Sequence, residues 1–284
     1  QEQNYTRFSQ VEDTVASAAV DFGYLLATDA RDWQLSAGLA WSDNDRSAWA
    51  REFRFLALDG ALPLAIQMQR IDFLLSHPNI GPGLLGLRET TGADGAAAYE
   101  ANLETRAVYF QAETQITPML RATAGVRYET AEQSVTTFDL FGGAAPFSET
   151  RLENEYWLPA ATVTWEITDS LQARLNASKT IARPQFRELI FQTYFDPETN
   201  RQFNGNPSLV DSRLTNAEAR LEYYYGRGNR VSLAGFYKDI DKPIEVFSSF
   251  SQNEQVSGFA NAPSATLYGA ELELELSKDL ADWG

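Results

Sequence analysis

The 284-residue chain has 44% hydrophobic residues, enough for one large all-β domain or two smaller ones, and a formal net charge of -16 with a pI near 4.5. This acidic balance disfavours a nucleic-acid-binding surface, which depends on clustered positive charge. The absence of cysteine excludes disulfides, thiolate metal sites and cysteine nucleophiles, and the single histidine, His77, has no second histidine for a metal pair or a catalytic triad.

Alternation of apolar and polar residues predicts strands along most of the chain. In the stretch 170–182, Leu171 and Leu175 share one parity while Gln172 and Arg174 occupy the other, so a strand here has one apolar and one polar face. A helix would distribute the same residues around its whole circumference. Parity and turn residues together predict nine strands, near 14–27, 33–42, 104–116, 120–136, 154–167, 170–182, 214–226, 230–246 and 265–278.

The links between these predicted strands alternate in length. The short ones read "TDARD", "TPM", "TDS" and "GRGN", whereas the long ones cover about 43–103, 137–153, 183–213 and 247–264. Strict alternation puts all the turns at one end of an up-and-down sheet and all the loops at the other. This asymmetry is typical of outer-membrane β-barrels and unlike the Greek-key links of a sandwich.

The predicted strands have one face that is too polar for a protein core. Glu271 and Glu273 alternate with Leu272 and Leu274, as expected for a barrel with a hydrated interior and a lipid-facing exterior, although a solvated edge sheet gives the same local series. A mean hydropathy of -0.34 is compatible with such alternating strands. Four arginines are expected to pair with carboxylates across strands: Arg121, Arg127, Arg174 and Arg220.

Aromatic residues lie where strands are expected to leave a bilayer. Trp157 and Trp165 share a parity on one predicted strand, and their separation of eight residues corresponds to roughly 26 Å at about 3.3 Å per residue. Tyr223 and Tyr225 precede one short turn, and Trp33 follows another. Two aromatic girdles explain this placement, because Trp and Tyr favour membrane boundaries; packing in a protein core is the alternative.

The number of predicted strands is odd. Antiparallel strands of a single-chain bacterial barrel normally close in even numbers, and the first and ninth strands here would run in the same direction. The sequence is therefore expected to be an internal piece of a larger barrel, with residues 1–284 forming one partial barrel domain.

Three stretches carry a family resemblance: "SKTIARPQFREL" (178–189), "FNGNPSLVDSRLTNAEARLEYYYGRGNRVSLAGFYKDIDKPIE" (203–245) and "ANAPSATLYGAELELEL" (260–276). They resemble the barrel region of TonB-dependent outer-membrane receptors. The matching elements, in order, are Ala182-Arg183-Pro184 at the end of a strand, Gly205-Asn206-Pro207 followed by Leu209, and Tyr268-Gly269-Ala270-Glu271. Pro184 cannot continue a β-ladder, so the strand is expected to end at this rim and a loop to begin.

The resemblance implies a 22-stranded barrel in the outer membrane of a Gram-negative bacterium, filled by an N-terminal plug and energised by the inner-membrane TonB complex. It implies uptake of a scarce ligand: a ferric siderophore, a cobalamin-like cofactor or an oligosaccharide. Its partners would be outer-membrane lipid, the ligand and, through a plug that these residues do not include, the TonB complex. No catalytic residue, metal ligand or bound cofactor is predicted.

The long loops contain the candidate ligand contacts. Guanidinium groups suit anionic ferric chelates, and exposed aromatic rings suit sugars or aromatic chelates. The competing interpretation is that each arginine pairs with a nearby carboxylate such as Glu188 or Asp196. The candidates are Arg183, Arg187, Tyr194, Phe195, Arg201 and Asn204 in loop 183–213, with Arg51, Arg54 and Arg88 in loop 43–103.

Two other functions are compatible with the strand pattern. A passive porin-like barrel would need no energy coupling, and a soluble β-sheet module would bind carbohydrate through exposed aromatics, although exposed apolar faces argue against solubility. An enzyme is disfavoured because no pair of carboxylates is isolated at the spacing of a glycosidase site.

Overall fold

The computed structural model describes residues 5–58, 60, 62–80, 84–92, 97–141, 146–190, 193–196, 201–226, 228–251 and 254–277. Strands account for most of these residues, and helices are limited to three single turns. The helices are α1 (Leu64–Gln67), α2 (Ile71–Leu74) and α3 (Phe186–Leu189). In chain order the strands are β1 (Tyr5–Ala27), β2 (Asp32–Ala57), β3 (Leu85–Glu89), β4 (Ala98–Thr117), β5 (Leu120–Phe138), β6 (Pro146–Thr168), β7 (Leu171–Ala182), β8 (Thr193–Asp196), β9 (Arg201–Asn204), β10 (Ser212–Tyr225), β11 (Asn229–Asp241), β12 (Ile244–Ser251), β13 (Glu254–Asn261) and β14 (Ser264–Glu275).

Nine long strands form one antiparallel sheet in the order β1-β2-β4-β5-β6-β7-β10-β11-β14, with β3 added beside β2. Long strands that follow one another in the chain are neighbours in the sheet, so the topology is up-and-down. The nine predicted strands all lie on this path, which confirms the predicted fold class. Within the described residues the sheet is open, with β1 at one edge and β14 at the other.

The sheet has one apolar and one polar face, as the alternation predicts. One apolar row crosses five neighbouring strands, because Leu39 pairs with Val20 and Val108, and Tyr128 pairs with Val108 and Trp157. No second sheet covers this face among the described residues, and its apolar side chains are exposed, Phe22 to 67% and Leu272 to 75%. Hereafter the apolar face is the one carrying Phe22, Leu39, Val108, Trp157 and Leu272, and the polar face is the one carrying Asp21, Tyr109, Glu113, Arg174 and Glu273.

Trp157 and Trp165 both project from the apolar face of β6 and are exposed. Their separation of roughly 26 Å along the strand becomes about 20 Å along the membrane normal at a strand tilt of about 40°. Tyr223 is exposed on the same face near the short turn between β10 and β11, and its ring stacks on Tyr225 with centroids 5.9 Å apart. These rings mark the two edges of an apolar band of the height expected for an outer-membrane barrel.

Ion pairs cross the strands of the polar face near the short turns. Arg230 contacts Glu222 at 3.6 Å, Glu273 at 3.2 Å and Glu275 at 3.3 Å. Three of the four arginines that were expected to pair across strands do so: Arg121 with Glu113 at 4.0 Å, Arg174 with Glu222 at 3.7 Å and Arg220 with Glu273 at 3.9 Å. The prediction is wrong for Arg127, which pairs at 2.6 Å with Glu129 of its own strand, β5.

Several strands extend further at the loop end than the sequence pattern predicts. β1 begins at Tyr5 and not near residue 14, while β2 continues to Ala57 and not to residue 42. The expected loop 43–103 is therefore reduced to 58–97, which contains α1, α2 and β3. Beyond the apolar band both faces of a strand are exposed to water. The backbone ladder therefore continues there without the alternation of apolar and polar residues that identifies a strand in a sequence.

The predicted strand 230–246 is too long at its end. β11 stops at Asp241 because Lys242 adopts a left-handed backbone conformation with φ of 53° and Pro243 follows. Residues from Ile244 onward form β12, which belongs to a second, four-stranded sheet of order β12-β13-β9-β8. Among the described residues, no helix is long and apolar enough to span a membrane.

A charge on the apolar face provides a test of the two-faced sheet. Ala177 pairs with Ala161, midway between Trp157 and Trp165. We expect Ala177→Arg to destabilise the membrane-inserted sheet by about 2–4 kcal/mol, the cost of a guanidinium near the bilayer centre. The neighbouring Ser178→Arg, on the polar face, serves as the control and should change stability by less than about 1 kcal/mol. Urea unfolding in lipid vesicles measures both, and equal losses would contradict the assignment of faces.

Candidate ligand-binding platform

The second sheet is assembled from two separate loops. One loop, 183–211, contributes α3, β8 and β9, and the other, 242–263, contributes β12 and β13. β13 pairs in parallel with β9, with Val256 opposite Gln202 and Gly258 opposite Asn204. We call the described residues of these two segments the loop platform.

A buried apolar cluster fastens the loop platform to the polar face of the main sheet. Leu189 and Leu209 are both 0% exposed, and Phe186 and Phe259 are also buried. They pack with Val135 of β5, at the loop end of the sheet. Full burial of a leucine contributes about 1.5–3 kcal/mol, so these side chains anchor the platform strongly.

Aromatic rings continue this cluster through the loop platform. Tyr194 stacks on Phe203 with ring centroids 5.9 Å apart, and Phe203 stacks on Phe259 at 5.6 Å. Arg46 of β2 forms an ion pair with Asp13 and places its guanidinium carbon 5.3 Å from the centre of the Phe186 ring. The candidate contact Tyr194 is therefore partly buried in the packing of the platform.

The Gly205-Asn206-Pro207 element has a structural explanation. A Cβ atom on Gly205 would collide with the carbonyl oxygen of Ile190 and lie 2.9 Å from that of Arg187, so only glycine fits. The backbone N–H of Asn206 donates to the carbonyl oxygen of Glu188 at 2.6 Å, and its side-chain Nδ2 donates to the carbonyl oxygen of Phe259 at 3.0 Å. This element therefore connects the two loops.

Asn261 makes a second connection between the loops. Its Nδ2 donates to the carbonyl oxygens of Val210 at 2.9 Å and Lys242 at 2.8 Å, while its Oδ1 accepts from the backbone N–H of Val210 at 2.9 Å. The Ser212 hydroxyl donates to the Lys242 carbonyl oxygen at 2.9 Å. Nothing in the residue types alone would have identified Asn261, because its partners lie 19 and 51 positions away.

Arg183 lies beneath the loop platform as part of a buried ionic cluster. Its Nη2 donates to Glu129 Oε1 at 2.6 Å, its Nε is 4.0 Å from Asp211 Oδ2, and its side chain is 17% exposed. The Asp211 side chain is 1% exposed, and burial raises the pKa of this carboxyl. Arg183 begins the loop and Asp211 ends it, so this cluster holds both ends of the loop against β5.

The remaining candidates of the loop 183–213 are on its surface. Arg187, Arg201 and Asn204 are exposed, and neither arginine forms an ion pair with a side chain that the structure describes. Arg201 lies opposite Asp196 across β8 and β9, and the Asp196 side chain is outside the described residues. The close contact of Gly205 with the Arg187 carbonyl brings Arg187 near Asn204. Phe195 lies in β8, and its side chain is outside the described residues.

The three arginines predicted in loop 43–103 lie on strands: Arg51 and Arg54 on β2 and Arg88 on β3. Arg54 and Arg88 are opposite each other across β2 and β3, and the exposed Arg88 makes no ion pair with any residue the structure describes. Arg54 and Arg7 both contact Glu52 at 2.6 Å. The sequence alone does not reveal the Arg7 contact, because Arg7 and Glu52 are 45 positions apart. Arg51 is on the other face, where its hydrogen bonds to Glu89 lower the pKa of that carboxyl to about 2.

Comparison with known proteins agrees with this architecture. Residues 2–284 match the family model described as TonB dependent receptor-like, beta-barrel. The chain belongs to this family. Its members are outer-membrane transport receptors of Gram-negative bacteria and not enzymes. No curated protein sequence matches the chain.

Several solved structures of TonB-dependent receptors share the fold of this chain. The closed form of the ferric-catecholate import receptor Fiu from E. coli K12 gives a TM-score of 0.59 at 14% identity, over 94% of this chain and 36% of Fiu. The siderophore receptor PiuA from Acinetobacter baumannii gives 0.62 at 12% identity, over 94% and 36%. The unliganded ferric citrate transporter FecA gives 0.61 at 12% identity, over 96% and 33%. The chain thus spans about a third of each of these receptors.

The packing of Gly205 in the receptor barrel leads to a prediction. We expect Gly205→Ala to loosen the loop platform, because the added Cβ would displace the Ile190 carbonyl and strain the contact between the loops. Gly235→Ala is a matched control, since a Cβ there would meet its nearest atom only at 3.9 Å. Limited proteolysis of the folded barrel should cut the platform faster in Gly205→Ala alone. Equal cleavage of both variants would contradict the crowding at Gly205.

The ionic cluster predicts different effects for two arginines of the same loop. Arg183→Gln leaves Glu129 and Asp211 buried near each other without this cation, which should destabilise platform docking by about 3–5 kcal/mol. Arg187→Gln, at an exposed position, should change it by less than about 0.5 kcal/mol. Hydrogen exchange of the platform amides measures docking stability. Similar protection in both variants would show that Arg183 has no structural role.

Proposed function

We propose that this chain forms part of the barrel of an outer-membrane receptor that takes up a scarce anionic ferric chelate with energy from the TonB complex. The observation that carries this proposal is the loop platform, which covers the loop end of the polar face and exposes guanidinium groups. A chelate arriving from outside the cell would meet these groups before it reached the barrel interior.

The charge distribution supports an anionic ligand. The chain as a whole carries a net charge of -16, so an exposed arginine without a described carboxylate partner is a local site of positive charge in an acidic protein. Arg88, Arg187 and Arg201 are such residues, and each guanidinium can donate two parallel hydrogen bonds to a carboxylate or catecholate group. Asn204 adds an exposed amide on a segment whose backbone lies close to that of Arg187.

The similar receptors favour an iron chelate over the other ligand classes. Fiu is described as a ferric-catecholate receptor, PiuA as a siderophore receptor and FecA as a ferric citrate transporter. Cobalamin-like cofactors and oligosaccharides depend less on guanidinium groups, because their binding groups are largely uncharged. Energy coupling would require a plug domain that contacts the TonB complex, in keeping with the larger size of the solved receptors.

Uptake of labelled ferric chelates by whole cells tests this proposal. We expect the combined variant R88Q/R187Q/R201Q to lower the affinity of the full-length protein for ferric citrate or a ferric catecholate by at least tenfold. One charge-assisted hydrogen bond alone contributes about 1.5–3 kcal/mol. The control R31Q/R121Q removes exposed arginines at the short-turn end and should leave affinity unchanged.

The same assay separates ligand recognition from energy coupling. Binding should persist in cells that lack TonB, whereas accumulation inside the cell should stop. Unchanged affinity in the triple variant would contradict the role of the loop arginines. Accumulation that continues without TonB would instead identify a passive, porin-like barrel.

A further inference from the structure

Two cavities adjoin each other on the side of the barrel opposite the loop platform. The lower one is a shallow groove of about 440 Å³ on the apolar face. It follows two neighbouring cross-strand rows, one containing Ala18 and Trp41 and the other containing Leu39 and Val108. Small side chains such as Ala18 make the depression between the larger ones.

The upper cavity, of about 370 Å³, is polar. It shares Arg106 and Thr130 with the groove, so the two cavities meet along a common wall. Carboxylates dominate the rest of its lining: Glu104, Glu132, Glu153 and Glu155. A single molecule with an apolar part and a polar part would therefore fill both cavities.

Hydrogen bonds hold the aromatic rings at this boundary in fixed positions. Trp41 donates from its indole nitrogen to Glu104 Oε1 at 2.8 Å, and the Tyr128 hydroxyl donates to Glu155 Oε2 at 2.6 Å. The Tyr128 ring also contacts that of Trp157, with centroids 4.8 Å apart. Trp41 and Tyr128 line the groove, so their rings contact the apolar part of a bound molecule next to its headgroup. The carboxylates of the upper cavity can accept hydrogen bonds from sugar hydroxyls.

We infer that the paired cavities bind a glycolipid of the outer leaflet whose headgroup is an uncharged sugar, with an acyl chain in the groove and the headgroup in the acidic cavity. The groove is continuous with the lipid-facing band, so an acyl chain reaches it laterally from the bilayer. This inference depends on the outer-membrane location in the proposed function, but not on the ligand or on energy coupling.

The charge of the upper cavity excludes a bare phosphate as the preferred headgroup. Its four carboxylates face Arg106 and the adjacent Arg151, which pairs with Glu132 and Glu153 at 2.8 Å each. Two negative charges remain uncompensated, and they repel an anionic headgroup. Hydroxyl groups of an uncharged sugar experience no such repulsion and can donate to the same carboxylates.

Lipid binding to the full-length protein in detergent, followed by native mass spectrometry, tests this inference. The probes are glucosyl diacylglycerol and phosphatidylglycerol with identical acyl chains. We expect the glycolipid to bind at least tenfold more tightly. Ala18→Phe, which fills the groove, should abolish that preference, and Glu155→Gln should weaken it because a neutral amide is the poorer acceptor.

A matched control places the same bulk elsewhere on the apolar face. Ala219→Phe, on β10, should retain the glycolipid preference while remaining folded, as should ferric chelate uptake in every variant. Equal or tighter binding of phosphatidylglycerol would overturn the inference. So would unchanged glycolipid binding in Ala18→Phe, equal losses in the two phenylalanine variants, or tight binding only of lipopolysaccharide in the presence of magnesium.

Discussion

The pairing of backbone hydrogen bonds in lipid is the constraint on which this structure depends. A strand within the hydrocarbon layer finds no water, so each N–H and C=O must pair with a neighbouring strand. Long antiparallel ladders with short links at one end satisfy this requirement. The ladder places successive side chains on alternating sides of the sheet. One face is therefore apolar and suited to lipid, and the other is polar and faces the barrel interior.

The main buried cluster of the described residues lies outside this band, which follows from the same constraint. The sheet does not need a protein core where lipid covers its apolar face, so buried leucine and phenylalanine side chains are concentrated beneath the loop platform. Two loops distant in sequence become one body through Gly205, Asn206 and Asn261. The ion pair between Arg183 and Glu129 then attaches the loop platform to β5 of the main sheet.

The two faces provide the two separate recognition sites that we propose. On the inner side, the loop platform exposes Arg187 and Arg201 in a chain that is strongly acidic overall. On the outer side, at the edge of the lipid band, carboxylates and fixed aromatic rings border an apolar groove. The first arrangement suits an anionic solute from outside the cell, and the second suits an amphiphile that arrives within the bilayer.

The sequence by itself determined the nine strands, their order and their two faces, because the period-two alternation from Leu171 to Ile181 and the alternating link lengths are local features. It also located the rim at Pro184. Only the tertiary structure decided that β2 continues to Ala57, that Arg183 is buried while Arg187 is exposed, and that Asn261 connects two loops. These outcomes depend on contacts between residues far apart in the chain, and neither periodicity nor residue type records which distant partner a side chain will meet.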